Sequence, residues 1–255
     1  MKKVNIILAT IVLSTTTAFA QDFVNIFSST GYGFGMGGYY LGSSNTFFED
    51  RETPLETNDH FLNLGQGLKF EIGAGYMLMP FLEGRVSFDL SLGVPSPTIE
   101  SERTNEIFED TTTDYRFSSW GLRAALAPHF EILELLDMYL GVGLALNFAS
   151  ASFERTIIET DEEPMIGEVK YNFSPSLGFM GFLGFEIPVM EYFLYFFSEI
   201  RFEQINHKLE STEVVSGEPF EHPITYTEDD VERNPPPNVP ATNWGIRVGL
   251  KYWIF

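Results

Sequence analysis

The chain has 255 residues, no cysteine, and 36 acidic against 15 basic side chains, a formal net charge of −21. Such acidity excludes a nucleic-acid partner, which needs clustered Lys and Arg against phosphate. The lack of thiols excludes disulfides, a lipid-modified cysteine and thiol chemistry. Acidity with few aromatics would suggest disorder, but 25 Phe, 11 Tyr and 3 Trp call for a folded chain.

Residues 1–20 read as a secretory signal to be removed. Lys2 and Lys3 form a positive start, Ile6 to Leu13 an apolar core, and Ala18-Phe19-Ala20 an A-x-A cleavage site before Gln21. The core is too short for a spanning helix, which needs about 20 residues. The expected mature domain, 21–255, retains 13 bases and 36 acids, a net charge near −23.

From there the dominant pattern has a period of two. Tyr32, Phe34 and Met36 sit between Gly31, Gly33, Gly35 and Gly37. From Leu62 to Leu78 the even positions are mostly apolar (Leu64, Leu68, Phe70, Ile72, Tyr76), while the odd ones carry Asn63, Lys69, Glu71 and glycines. That run is long for a globular strand of about 5–6 residues. After Met79-Pro80, Leu82, Val86, Phe88 and Leu90 oppose Glu83, Arg85, Ser87 and Asp89. Trp120, Leu122 and Leu126 oppose Gly121, Arg123 and His129; Met138, Leu140, Val142 and Leu144 oppose Gly141 and Gly143. Leu177, Phe179, Leu183 and Phe185 are offset from Gly178, Gly184 and Glu186, and Leu194, Phe196, Ile200 and Phe202 from Glu199, Arg201 and Glu203. Last, Ile246, Val248, Leu250, Tyr252 and Ile254 oppose Gly245, Arg247, Gly249 and Lys251. The pattern predicts eight strands.

Connections alternate between short ones, around Pro80, Glu131 to Asp137 and Pro188 to Glu191, and long polar ones at 43–61, 94–114, 151–170 and 206–242. Short turns at one end and long loops at the other fit a membrane barrel with both termini at the short-turn end. A soluble lipocalin-like barrel would alternate in the same way with its faces exchanged. Two features favour the membrane form. Glycine concentrates on the polar face, where a narrow eight-stranded interior demands small side chains. That face also balances six bases (Lys69, Arg85, Arg123, Arg201, Arg247, Lys251) with six acids (Glu71, Glu83, Asp89, Glu186, Glu199, Glu203), whereas the loops hold about 25 acids and 6 bases. Balance confined to one face implies ion pairs in confinement, since an unpaired buried charge is costly. Aromatic belts are expected at both boundaries: Tyr76, Phe81, Phe130, Tyr192, Tyr252 and Phe255 at one, Trp120, Phe148, Phe173, Phe202 and Trp244 at the other.

With signal, alternation, loop layout and the terminal Tyr252-Trp253-Ile254-Phe255 in place, the chain resembles the small outer-membrane β-barrels of the OmpA/OmpX/OmpW type and the porin-like outer-membrane barrel domains. The resemblance covers the whole of 21–255. It implies an all-β, eight-stranded antiparallel up-and-down transmembrane barrel, exported through the Sec pathway and the periplasm to the bacterial outer membrane. It also implies an assembly signal at Tyr252, Trp253 and Phe255. Phe255 is out of phase with the apolar face of its strand, a departure from the family pattern.

Expected partners are outer-membrane lipid, lipopolysaccharide and the barrel-assembly machinery, with no nucleic acid, and the expected state is a monomer. No cofactor, metal or catalytic set is expected. His207 with Glu203 and Ser211 imitates an acid-base-nucleophile set but reads as a histidine without that role. His129 reads as a paired lumen residue, and His60 and His222 fall in loops. The acids of 160–163 and 227–232 offer oxygen ligands to divalent cations. They lack the spacing of a calcium loop and read as solvated loops that bridge to lipopolysaccharide through shared cations. Pro235, Pro236, Pro237 and Pro240 stiffen the return to the last strand. The expected role is structural or surface-interacting, with a charge-filled, blocked lumen in which Phe193, Tyr195 and Phe197 also point inward; the alternative is a narrow channel of the OmpW kind.

The signal reading is checked by intact mass after export. The mature protein should begin at Gln21, and retention of residues 1–20 would make the segment an anchor.

Overall fold

The computed structural model describes residues 24–46, 56–93, 99–103, 109–133, 136–159, 165–190, 193–216 and 238–254. They form β1 (Val24–Gly35), β2 (Tyr39–Thr46), β3 (Glu56–Leu62), β4 (Gly67–Met79), β5 (Leu82–Leu92), β6 (Ile99–Arg103) and β7 (Glu109–Leu133). Then follow β8 (Leu136–Glu159), β9 (Met165–Phe173), β10 (Ser176–Met190), β11 (Leu194–Gln204), β12 (Asn206–Ser216), β13 (Asn238–Pro240) and β14 (Asn243–Ile254).

Eight of these close the barrel. β1, β4, β5, β7, β8, β10, β11 and β14 each pair antiparallel with the next, and β14 returns to β1 from Val24↔Ile254 to Gly35↔Asn243. Crossing the strands from Val24, the register leads through Tyr76, Gly84, Leu126, Val142, Gly181, Phe202 and Trp244 back to β1 at Phe34, ten residues along. With a rise of about 3.3 Å per residue and strands about 4.8 Å apart, that stagger tilts the strands by about 40°, within the usual range. Closure leaves no unpaired edge, which is what hydrocarbon requires of a sheet.

The period-two pattern sorts the side chains. Ile72, Val86, Val142, Leu177 and Phe179 are 61–68 % exposed on the outer face, while Lys69, Glu83 and Lys251 are 0–3 % exposed within. A continuous apolar belt of this kind exceeds what a water-soluble monomer presents. On β14 it runs from Trp244 to Ile254, about 25 Å along the barrel axis at that tilt, the height of the lipid-facing band of such barrels. Trp120 stacks on Phe148 at 4.1 Å and Phe34 on Trp244 at 4.5 Å at the outer rim. Tyr76, Phe81, Phe130 and Tyr252 are exposed near the other rim. Tyr192 and Phe255 lie outside the described residues.

Three expectations are corrected. Phe173, assigned to the outer belt, is 7 % exposed and packs inward, because Ser174-Pro175 separates β9 from β10 and resets the phase. Where they are described, the long connections are largely strand rather than loop: β2 pairs β3, β6 extends along β7, β9 along the upper half of β8, and β12 along β9. The wall therefore continues past the belt, with β8 pairing β10 through residues 137–147 and β9 through 150–157. Phe193 is 38 % exposed at the turn before β11 rather than inside the barrel; Tyr195 is half-buried, and Phe197 points inward at 1 %.

Leu144 lies on the belt near its mid-height. Leu144→Arg should cost about 2–4 kcal/mol in vesicle-embedded protein, whereas Ser150→Arg, above the Trp120–Phe148 stack, should cost about 0–1 kcal/mol. Urea titration in vesicles reads both, and equal costs would remove the bilayer from the outer face.

Candidate functional site: the barrel lumen

Strand phase alone aims the charged set inward, and all twelve of its members are buried. They divide into two tiers. Near the short-turn end, Arg85 Nε lies 2.7 Å from Glu83 and its Nη2 3.3 Å from Glu186, while Lys251 Nζ bonds Glu186 and lies 3.2 Å from Glu83. Asn25 donates to Glu83 at 2.6 Å. His129 stands between two carboxylates, Nε2 at 2.9 Å from Glu83 and Nδ1 at 2.7 Å from Asp137. Glu83, His129 and Glu186 could by spacing share a metal ion, but both carboxylates are already neutralised by Arg85 and Lys251.

The upper tier is larger. Arg201 forks onto Glu71 at 3.0 and 2.9 Å, a bidentate pair. Arg247 reaches Glu71 at 3.2 Å, Asp89 at 2.6 Å and Glu203 at 3.9 Å. Arg123 bridges Asp89 at 3.3 Å and Glu203 at 3.0 Å. Glu199 joins the tiers, paired to Arg201 above and 3.6 Å from Arg85 below. Lys69 departs from the expectation that every base meets an acid. Its Nζ donates to Ser91 Oγ at 2.7 Å, and Ser91 donates to Asp89 at 3.2 Å, so its link to the acids runs through a hydroxyl.

Glycines make this density feasible. Gly31 lies directly opposite Arg247, and a Cβ there would stand 2.9 Å from the Arg247 side chain; one at Gly33 would stand 2.7 Å from Lys69 Cε. The same device builds an aromatic layer of which sequence reasoning found only Phe197. Phe27, Phe182, Tyr139 and Phe197 lie opposite Gly73, Gly141, Gly184 and Gly249, each ring covering its glycine. Arg85 sits 4.2 Å from the Tyr139 ring centroid and 5.4 Å from that of Phe182, within cation–π range. Phase could have found these rings: Phe27 shares the face of Asn25 and Ser29, and Tyr139 that of Gly141.

Above the upper tier the lumen ends in an apolar cap of Leu64, Phe117, Phe173, Ile205, Leu209, Val239 and Ala241. The 63–66 turn is tied down there. Leu64 N donates to Pro240 O at 2.8 Å, and the Asn63 amide reaches the carbonyls of Met36, Gly37 and Thr242 at 2.9–3.1 Å. Phase groups Leu64 with the outward Leu68 and Phe70, but the 63–66 turn breaks the run before β4 and brings it inward; no sequence period announces Ile205, Val239 or Ala241. His207 is buried beside the cap, with Nδ1 3.2 Å from Ser174 O, and burial pushes its pKa below 6.5. No contact joins it to Glu203, which is held by Arg123, or to Ser211, which accepts from Asn172 on the outer wall, so the imitated triad is not assembled. His222 and the acids 160–163 and 227–232 lie outside the described residues.

No protein-family model matches the sequence, and no curated protein does. Among solved structures the chain is similar to the outer membrane protein OprG from Pseudomonas aeruginosa, at 13 % identity over 91 % of this chain and 95 % of that one, TM-score 0.44. It is also similar to a major outer membrane protein from Thermus thermophilus, at 13 % over 91 % and 99 %, TM-score 0.42. Neisserial surface protein A follows at 14 % over 90 % and 96 %, TM-score 0.40. The barrel assignment rests on the closed ladder of this chain rather than on those likenesses.

Two measurements test the lumen. Arg247→Ala leaves Glu71 to Arg201 and Asp89 to Arg123, with one buried negative charge in excess in the upper tier, and should destabilise by about 3–5 kcal/mol, whereas Arg116→Ala, which loses an exposed pair to Glu154, should cost less than about 1 kcal/mol. Comparable losses would mean that the lumen pairs are as solvated as surface ones. His207, with its folded pKa depressed, contributes no penalty above pH 6.5 and an increasing one as pH falls below it. The protection factors of the Leu64 and Ala241 amides, in which the intrinsic slowing of exchange at lower pH cancels, should therefore fall on acidification in the wild type and not in His207→Gln.

Proposed function

We propose that the protein is a structural or surface-interacting barrel of the bacterial outer membrane, exported by its N-terminal signal, with a lumen closed to solutes. The observation that carries this reading is the stacked filling of that lumen: two ion-pair tiers, a ring layer between their strands, and an apolar cap over the top. An eight-stranded interior is only just wide enough for side chains, and here they are large and mutually bonded. The role is non-catalytic in this reading, because the buried acids and bases are engaged with each other.

The face presented to the surroundings is acidic. Segments 43–61, 94–114, 151–170 and 206–242 carry 25 acids and 6 bases, so their partners are cations and, through shared divalent ions, lipopolysaccharide. Tyr252, Trp253 and Phe255 serve as the assembly signal in the same reading, and the barrel works as a monomer.

Single-channel recording of the wild type in planar bilayers tests closure. The expected trace shows no unit current. Steady ion flow, abolished by Gly35→Phe on the glycine-lined wall of β1, would replace this reading with the narrow channel.

A further inference from the structure

Two depressions lie one above the other on the outer wall of β7 and β8. The lower, of about 510 Å³, sits in the apolar belt over Ala124, framed by Ile72, Val86, Leu122 and Leu144. The upper, of about 480 Å³, lies above the belt, with Arg116, Ser118, Ser150, Ser152 and Lys170 in its lining. The stacked pair Trp120–Phe148 stands between them.

The register makes them one column. Going up the wall, the outward pairs are Ala124↔Leu144, Leu122↔Leu146, Trp120↔Phe148, Ser118↔Ser150 and Arg116↔Ser152, and β9 widens the top by aligning Lys170 with Ser152. Polarity thus passes from hydrocarbon to ring to hydroxyl to charge over five rows. The six residues from Ala124 to Ser118 span about 15 Å along the barrel axis at the tilt above, half the thickness of a hydrocarbon core of about 30 Å. An acyl chain of one leaflet therefore reaches from the hydroxyl rows down to the lower depression.

Height and charge together select the lipid. The column lies at the end of the long segments, so in the reading proposed above it meets the outer leaflet. The lipid there is lipopolysaccharide, a phosphorylated sugar pair that bears several acyl chains. Arg116 and Lys170 stand two strands apart, about 10 Å, with Ser152 between them in the same row. Two separated cations with hydroxyls between and below them match phosphates carried on a sugar. Both bases are exposed, and the contact of Arg116 to Glu154 at 3.8 Å is of the kind that contributes little.

Three acids border these two bases. Glu154 and Glu168 are directly opposite each other on β8 and β9, and Glu213 is opposite Lys170 on β12. Like charges so placed repel, and the excess of one acid disfavours a bare anion. The phosphates of lipopolysaccharide carry divalent ions, and such ions take several oxygen ligands, carboxylates among them. Bases on the phosphates and acids on their counter-ions then use both signs of the wall.

We propose that this wall seats one lipopolysaccharide molecule. One acyl chain lies over Ala124, the phosphates meet Arg116 and Lys170, and their divalent ions meet Glu154, Glu168 and Glu213. This seat presupposes the outer-membrane reading above, which gave lipopolysaccharide to the acidic segments at large.

The test reconstitutes the full mature protein in magnesium-containing vesicles of phosphatidylethanolamine, phosphatidylglycerol and short-core lipopolysaccharide, extracts it gently, and counts retained lipids by native mass spectrometry. One lipopolysaccharide should be retained at least about tenfold over either phospholipid, and the same glycolipid stripped of its phosphates should not be. Arg116→Gln/Lys170→Gln should lose that preference, and Ala124→Phe, which fills the lower depression, should weaken it. Arg51→Gln/Arg233→Gln removes the same charge from the long segments and should leave it intact. Preferred retention of a phospholipid, equal retention of the dephosphorylated form, or an equal loss in the Arg51/Arg233 pair overturns the seat. Unchanged retention in either wall variant also overturns it, while leaving lipopolysaccharide to the acidic segments. Failure of the folded wild type to insert into vesicles overturns the spanning reading, and the seat with it.

Discussion

A closed sheet of eight strands in a bilayer has an interior that only side chains can fill, and each charge put there must meet its opposite in the same narrow space. Much of this molecule follows from that confinement. It explains why six bases and six acids share one face of the strands, why glycine stands opposite the largest inward side chains, and why arginine predominates. Guanidinium groups offer several donors in a fixed plane, so Arg201, Arg247 and Arg123 can each satisfy more than one carboxylate. Lysine, with a single point charge, appears where one or two partners suffice. Lys251 takes Glu83 and Glu186, while Lys69 takes a serine hydroxyl.

The lumen was legible in the sequence to the extent that a period of two is legible. Once Leu68, Phe70 and Ile72 face lipid, Lys69 and Glu71 have no choice but to face inward, and the same holds for Arg247 and Lys251 on the closing strand. Which base meets which acid was not legible, because partners such as Arg201 and Glu71 face each other across the lumen and are not neighbours in the ladder. Ser91 as the partner of Lys69 is likewise a matter of side-chain reach. The rings of Phe27, Tyr139 and Phe182 were in phase but masked by the abundance of phenylalanine on the opposite face.

Phase reading failed where the polypeptide leaves the bilayer. The stretch Glu109 to Asp114 is polar on both faces, so alternation carries no signal there, and only the threonines Thr111 to Thr113 hint at their strand preference. The backbone continues as sheet because β6 and β8 flank it with complementary hydrogen bonds. The cap was invisible for a related reason. Leu64, Ile205, Val239 and Ala241 come from separate stretches of the chain and form a core only after the 63–66 turn is drawn under residues 238–242.

The pairing of β14 with β1 joins residues more than two hundred positions apart, Val24 with Ile254. Contacts of such separation are slow to form, since the loop entropy must be met before the contact rewards it. Two of the six lumen bases, Arg247 and Lys251, travel on that final strand. Before it docks, Glu71, Asp89, Glu83 and Glu186 lack cations that the finished barrel supplies. A half-made sheet therefore carries an acid-rich, hydrated inner surface that resists collapse. Sealing the wall and neutralising the interior are then a single event, so electrostatics favours the complete chain over any truncated one during biogenesis.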